Sequence, residues 1–181
     1  DHLLAFDTGP GNALIDDWVA AHFGEPFDRD GAIAAGGTID AASLGTLMAH
    51  PYFDRAPPKS LDRDAFSLEV LNDLASADGA ATLTAYTVAT IERARAHLPA
   101  PPTRWIVTGG GRHNGFLMGL LGERLGAPVI SAEQAGLDGD AIEAQAFAYM
   151  AVRSLRGLPL SGPSTTGVPQ PQTGGQLYKA P

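Results

Sequence analysis

The sequence predicts an α/β fold, because short apolar, β-branched runs alternate with segments of helical periodicity. In one unit, the apolar run at residues 3–6 leads through a turn with two glycines and a proline into a helical pattern. In a second unit, residues 104–108 lead through three glycines into another helical pattern and then into an apolar run at residues 127–131. Such alternation indicates a sheet covered by helices.

The composition excludes several classes of protein. The chain has 181 residues, of which 44% are hydrophobic and 18% are charged, which suits one globular domain and excludes a disordered chain or a coiled coil. A net charge of -8 argues against nucleic acid as a partner. Without cysteine, disulfides and thiolate catalysis are excluded. No apolar run approaches the ~18 residues that span a bilayer, so we expect a cytoplasmic protein with no membrane partner.

The first part of the chain contains two predicted helices and an irregular segment. Asn12 is a candidate N-cap for the first helix, and Gly24 is a candidate end. Asp40 is a candidate N-cap for a short helix that Pro51 stops. Residues 52–64 form a predicted irregular loop, and a loop of that length is typically functional or a mobile lid.

Three further helices are predicted later in the chain. Residues 65–74 and 78–98 have helical periodicity, and the second of these has an apolar face suited to packing on a sheet. A helix opening at residue 139 is apolar nearly all round, which predicts that it is buried. We expect one lobe over residues 1–160 and a coil tail over residues 161–181, which is rich in proline, glycine, serine and threonine.

Asp7 stands where the first predicted strand ends, before a predicted helix start. Ligands of open α/β sheets collect at such strand ends, and a helix N-terminus offers free N–H groups. Gly9 and Gly11 allow the backbone to approach a ligand closely. Either Asp7 takes part in ligand chemistry, or its carboxylate accepts hydrogen bonds from loop amides in a structural turn.

The glycine triplet Gly109–Gly111 offers a second candidate site. Its bare amides suit the phosphates of a nucleotide, although the pattern is neither GxGxxG nor a Walker loop. The alternative interpretation is a structural turn that allows helix and strand to pack closely. Two such loops suggest a clamp on a polyphosphate, with Asp7 and Mg²⁺ near the transferred group. No histidine spacing is typical of a protein metal site. Glu143 is either a second active-site carboxylate or the partner of Asp140 in a capping box.

Four stretches occur in an order that resembles the anhydro-N-acetylmuramic acid kinase family, within the sugar kinase, Hsp70 and actin superfamily: FDTGPGN, VTGGGRHN, DGDAIEAQAFAYMAVR and LPLSGPSTTGV. The resemblance implies an actin-like, sugar kinase ATPase-type lobe with a mixed sheet flanked by helices. Family members begin with another lobe that carries a GxMSGTSxDG phosphate loop, and this sequence lacks that loop. We therefore expect a C-terminal part whose missing N-terminal lobe is a partner, with an exposed sheet edge beside residues 3–6 and a possible homodimer.

The resemblance also implies a reaction and a set of site residues. The family opens the 1,6-anhydro ring of its amino-sugar substrate with water and phosphorylates the sugar 6-oxygen from ATP with Mg²⁺. By resemblance, Asp7 is the general base, and Glu143 and Asn12 bind the sugar. The residues implied at the nucleotide are Gly9, Gly11, Gly109, Gly110, Gly111 and Asn114, with His113 at the border. A non-catalytic nucleotide-binding module and a kinase for another sugar are the alternatives.

Overall fold

The computed structural model describes residues 3–178 and has the expected α/β class. The α-helices are α1 (Ala13–Phe23), α2 (Ala32–Ala35), α3 (Ala41–Met48), α4 (Ser76–Ala94), α5 (Gly115–Arg124) and α6 (Ile142–Leu155). The strands are β1 (Trp105–Val107) and β2 (Val129–Ser131). Short 3-10 turns join them at Arg29–Gly31, Pro51–Asp54, Arg63–Ala65, Glu69–Leu71, Arg95–His97, Gly110–His113 and Glu133–Ala135. None of the helices in this part of the chain is long and apolar enough to cross a bilayer.

The unit β1–α5–β2 confirms the second strand–loop–helix–strand prediction. The two strands pair in parallel, with Trp105 opposite Val129 and Val107 opposite Ser131, as expected when a helix forms the crossover. Among the described residues the sheet consists of these two strands, so the expected mixed sheet stays a prediction.

The predicted strand at residues 3–6 is also wrong within the described residues. The Ala5 amide donates to the Ser164 carbonyl over 3.2 Å, and the Asp7 amide donates to the Lys59 carbonyl over 3.0 Å. These single bonds go to two different segments, whereas a strand requires a continuous ladder to one neighbour. The segment is therefore an extended connection into the Asp7 turn.

Helix α4 lies at the centre of the fold and packs against α1, α2, α3 and α5. Its predicted existence is confirmed, but its main neighbours are helices and not a sheet, and its last turn before Leu98 is a 3-10 turn. The helix approaches α1 closely because Gly79 has no side chain, and a Cβ there would collide with the Trp18 ring. The Trp18 indole Nε1 donates to the Ser76 carbonyl over 2.8 Å, which fixes the start of α4 against α1.

The predicted helix over residues 65–74 is wrong, because this segment contains no α-helix and forms the end of the 3-10 turn Arg63–Ala65 and the 3-10 turn Glu69–Leu71. Side chains compete locally for the backbone: Asp62 accepts from the Asp64 amide, and Ser67 accepts from the Glu69 amide. The apolar residues that suggested a helix instead enter an aromatic cluster, where the Phe66 ring stacks on Phe53 with 6.0 Å between centroids.

Helix α6 is exposed, so the prediction that it is buried is wrong for the described residues. None of its side chains is buried, and Phe147, Tyr149 and Leu155 are each more than 60% exposed. The apolar pattern favours burial, but among residues 3–178 this face is bordered only by the coil at Leu160 and at residues 175–177, which leaves it exposed.

The segment after α6 has turns and coil, with one isolated bridge between Ser161 and Gln172. It returns to the start of the chain, where the Ser164 hydroxyl donates to the Leu3 carbonyl over 2.5 Å. The boundary between residues 160 and 161 stays a prediction, and residues 179–181 of the predicted tail lie outside the described residues.

Candidate functional site

Asp7 lies at the edge of a cleft of about 480 Å³ that is also lined by Arg55, Lys59, Ser60 and Thr165. The Leu61 amide donates to the Asp7 carboxylate Oδ2 over 3.3 Å. The Tyr52 hydroxyl donates to the Asp7 carbonyl over 2.8 Å. The predicted irregular loop at residues 52–64 is therefore the segment that positions Asp7.

The turn after Asp7 packs against α4. A Cβ at Gly9 would lie 2.6 Å from the Thr90 Oγ1, so only glycine fits there without a shift. Gly11 has φ +62, a conformation that favours glycine, and its carbonyl accepts a hydrogen bond from the Thr87 Oγ1 over 2.7 Å. Thr87 and Thr90 thus position the turn, although their place on the buried face of a helix identified them only as core.

Asn12 does not cap α1, which corrects the N-cap prediction. The helix begins at Ala13, but the Asn12 side chain makes no capping hydrogen bond. It lies instead against the second glycine turn, where a Cβ at Gly111 would be 3.1 Å from the Asn12 Nδ2. The two glycine turns therefore meet, at Asn12 and Gly111.

The second glycine turn follows β1 directly. Gly109 has φ +70 and begins the 3-10 turn Gly110–His113. Within residues 3–178, a Cβ at Gly109 or Gly110 would meet nothing within 4 Å, so a ligand can approach this backbone. Asn114 is buried and caps α5, because its Oδ1 accepts from the Leu117 amide over 2.9 Å.

Two neighbouring clefts border the place where the glycine turns meet. The first has about 440 Å³, and its lining includes Asn12, Phe27, Arg29, Gly110 and Asn114. His113 and Asp16 line it too, and burial, followed by the charge of Asp17, raises the pKa of Asp16.

The second cleft, of about 400 Å³, includes Gly11, Asn12, Gly110 and Gly111. The structure therefore brings most of the predicted nucleotide residues together around Asn12 and Gly110. Asp7 lies in the 480 Å³ cleft, which shares no lining residue with these two clefts.

Glu143 lines none of these clefts, and its predicted capping box with Asp140 is wrong. Helix α6 begins at Ile142 without a side-chain cap. The Asp140 carboxylate instead accepts from the Arg112 guanidinium over 2.5 Å. Glu143 itself is exposed.

Arg112 joins three segments around the second glycine turn and was not predicted as a site residue. Its nearly buried guanidinium donates to the Gly109 carbonyl over 2.8 Å, to Glu133 over 2.7 Å and to Asp140. The pKa of Glu133 is lowered to about 2, first by its own backbone amide and then by Arg112. Arg112 is visible inside the GGGRHN motif, but its partners lie 21 and 28 residues away, and no local pattern predicts them.

Among residues 3–178, no group of three acidic or histidine side chains is arranged to hold a metal ion. A magnesium ion that accompanies a nucleotide takes most of its ligands from phosphate oxygens and water, and needs only one or two protein carboxylates. Asp7 fits that need, since its carboxylate is exposed at the cleft.

Comparison with known proteins identifies the family. The family model for anhydro-N-acetylmuramic acid kinase matches residues 1–180. Proteins named anhydro-N-acetylmuramic acid kinase from Rhodospirillum rubrum, Acidiphilium cryptum and Rhizorhabdus wittichii are 58%, 55% and 52% identical to this chain over 98% of its length. The aligned region is 47%, 50% and 48% of those proteins, so the chain spans about half the length of the relatives it matches. The chain belongs to the anhydro-N-acetylmuramic acid kinase family.

Proposed function

We propose that this chain is the C-terminal half of an ATP-dependent kinase in peptidoglycan recycling. The enzyme converts 1,6-anhydro-N-acetylmuramic acid, water and ATP to N-acetylmuramic acid 6-phosphate and ADP. The observation that carries the proposal is the meeting of the two glycine turns at Asn12 and Gly111, with Asp7 beginning the first of them. The names of the relatives support the substrate.

The glycine turn after β1 suits a nucleotide. Gly110 lines the cleft, and among the described residues a Cβ at Gly109 or Gly110 would meet nothing within 4 Å, so amides here can bind phosphate oxygens without interference from a side chain. Phe27 and Arg29 also line the 440 Å³ cleft. An aromatic ring can stack on a base, and a guanidinium can pair with a phosphate.

Asp7 is the proposed general base. The Leu61 amide orients its carboxylate, so the group can take a proton from the water that attacks the anomeric carbon. The bond from the anomeric carbon to the bridging oxygen then breaks, and that oxygen becomes the nucleophile. Bound ATP with Mg²⁺ supplies the γ-phosphoryl group that this oxygen accepts.

We further propose that a preceding half of the enzyme completes an actin-like fold with a mixed sheet. Three exposed features support this: the apolar face of α6, the extended segment at Leu3, and Ile106 in β1, which is 37% exposed. Glu143 then joins the sugar pocket only when that half is in place. A homodimer is the alternative cover for these surfaces, and the oligomeric state of the full-length enzyme distinguishes the two.

The proposed function is tested in the full-length enzyme with Asp7→Asn and Gly110→Val. Asp7→Asn should lower turnover of the anhydro-sugar by about 100- to 10,000-fold, as expected for a lost general base. Gly110→Val should weaken ATP binding, measured by calorimetry.

Gly119→Val is the matched control, because Gly119 lies on α5, away from the clefts, with open space around it. Retained turnover in Asp7→Asn would overturn the proposed function. ATP binding without turnover in the wild-type enzyme would favour a non-catalytic nucleotide-binding module.

A further inference from the structure

The turn Ser164–Gly167 is fixed beside Asp7, although more than 150 residues separate them in sequence. The Ser164 hydroxyl donates to the Leu3 carbonyl, and the Ser164 carbonyl accepts from the Ala5 amide over 3.2 Å. On the other side, a Cβ at Gly167 would be 3.2 Å from the Pro58 Cγ. The turn is thus held between the segment that leads to Asp7 and the loop that contains Lys59.

Hydroxyl groups from this turn reach the Asp7 cleft. Thr165 and Thr166 line it together with Ser60. Thr165 Oγ1 is used within the turn, where it bonds to Gly162 over 3.1 Å. Thr166 is exposed, and its hydroxyl makes no side-chain hydrogen bond among the described residues, so it can bind a ligand.

The charge of the cleft is positive apart from Asp7. Arg55 and Lys59 line it, and Asp7 is the one carboxylate among its described lining residues. The Lys59 ammonium is buried and donates to the carbonyls of Tyr52 and Phe53 over 3.3 and 3.2 Å.

Arg55 differs from Lys59 because its cation is exposed. Its guanidinium lies 5.6 Å from the Tyr52 ring centroid, and within residues 3–178 it forms no ion pair, since the neighbouring Asp54 pairs with Arg93. A guanidinium keeps several donors in a planar fork that fits the two oxygens of a carboxylate or phosphate.

We propose that Arg55, Ser60 and Thr166 form an oxyanion subsite beside Asp7, which binds an anionic group of the reactants. This inference rests on the proposed role of Asp7. The oxyanion has two possible sources with the same chemistry, the carboxylate of the acidic sugar and the transferred phosphoryl group. In this proposal the turn Ser164–Gly167 forms one side of the site that binds the reactants.

The test compares Arg55→Met with wild type in the full-length enzyme, using anhydro-N-acetylmuramic acid and the uncharged anhydro-N-acetylglucosamine. If the subsite binds the sugar carboxylate, KM for the acidic sugar rises about tenfold or more, while kcat and the KM for ATP stay unchanged. The neutral sugar is then unaffected. If the subsite binds the phosphoryl group, the KM for ATP rises or kcat falls with both sugars.

Further variants keep the result interpretable. Arg55→Lys should restore part of the loss because it keeps the charge but not the planar fork, and Thr166→Val should produce a smaller loss of the same kind. Arg104→Met is the matched control, since Arg104 is exposed and lines none of the clefts. Thermal melting shows whether each variant folds. If Arg55→Met does not fold, the kinetics of Arg55→Lys and Thr166→Val test the subsite instead.

Unchanged kinetics in Arg55→Met with both sugars would overturn the subsite. If Asp7→Asn, measured in parallel, still loses turnover, the proposed function stands and only the subsite fails. If Asp7→Asn retains turnover, the proposed function itself fails.

Discussion

Replacing Gly9 by alanine tests how tightly the Asp7 turn is seated on α4. The new Cβ would lie 2.6 Å from the Thr90 Oγ1 and 2.9 Å from its Cβ and Cγ2. Thr90 is 1% exposed and donates its hydroxyl to the Thr87 carbonyl over 2.8 Å. It cannot rotate away without losing that bond, so the turn has to move.

The expected magnitude follows from two opposing contributions. Overpacking a core contact costs about 1–3 kcal/mol, and replacing glycine by alanine in the unfolded chain returns about 0.4–1 kcal/mol. With mid-range values of about 2 and about 0.7 kcal/mol, the free energy of unfolding should fall by about 1.3 kcal/mol, which lowers Tm by about 3–5 °C in a domain of this size. The turn must retreat by about 0.8 Å to reach ordinary contact, and a displacement near 1 Å can lower turnover about 100-fold.

Urea unfolding of this chain measures the stability, and turnover is measured in the full-length enzyme. A double-mutant cycle with Thr90→Ala should give a coupling energy of about 0.5–2 kcal/mol, because removing the threonine relieves the collision. Gly45→Ala is the control: Gly45 lies on α3 with open space around it, so alanine should stabilise the helix. A Gly9→Ala protein as stable as wild type, or a cycle without coupling, would refute the reasoning.

Two other predictions concern stability. The Tyr86 hydroxyl is buried without a hydrogen-bond partner among the described residues, and burial raises the pKa of this hydroxyl. Tyr86→Phe should therefore leave the free energy of unfolding unchanged or raise it by about 1 kcal/mol. A clear loss of stability in a thermal melt would contradict this. The pKa of Glu133 is about 2 in the fold against an ordinary 4.5, so its contribution is present above pH 4.5 and is lost as the pH falls toward 2. Glu133→Gln should lower stability at neutral pH and flatten the acid dependence of the urea midpoint; an unchanged acid dependence would show that the carboxylate contributes nothing.

The sequence predicts the region around β1 and α5 well, because its signals are local. Trp105 and its β-branched neighbours favour a strand, Gly109 permits the turn with φ +70, and Asn114 caps the helix that follows. Each of these signals acts over a few residues. The positions of the two glycine turns were predictable for the same reason.

The errors occur where distant contacts decide the structure. The apolar residues near Phe66 repeat at a helical spacing, but contact with Phe53 and local side-chain bonds place them in the core without a helix. Helix α6 carries a pattern typical of burial, yet none of its side chains is buried among the described residues. Arg112 was missed as a site residue because its partners Glu133 and Asp140 come together only in the fold.

Helix α4 explains why the Asp7 turn depends on the core. Its periodicity suggests a helix that packs by apolar contact, but two of its buried hydroxyls bond other segments: Thr82 accepts from the Asp40 amide over 3.0 Å, and Thr87 donates to the Gly11 carbonyl over 2.7 Å. Thr90 closes the chain of contacts by donating to Thr87 and by touching Gly9. Because such buried bonds are costly to leave unmade, a sideways shift of α4 must carry the turn with it. The geometry of the proposed base is therefore set by the packing of this helix.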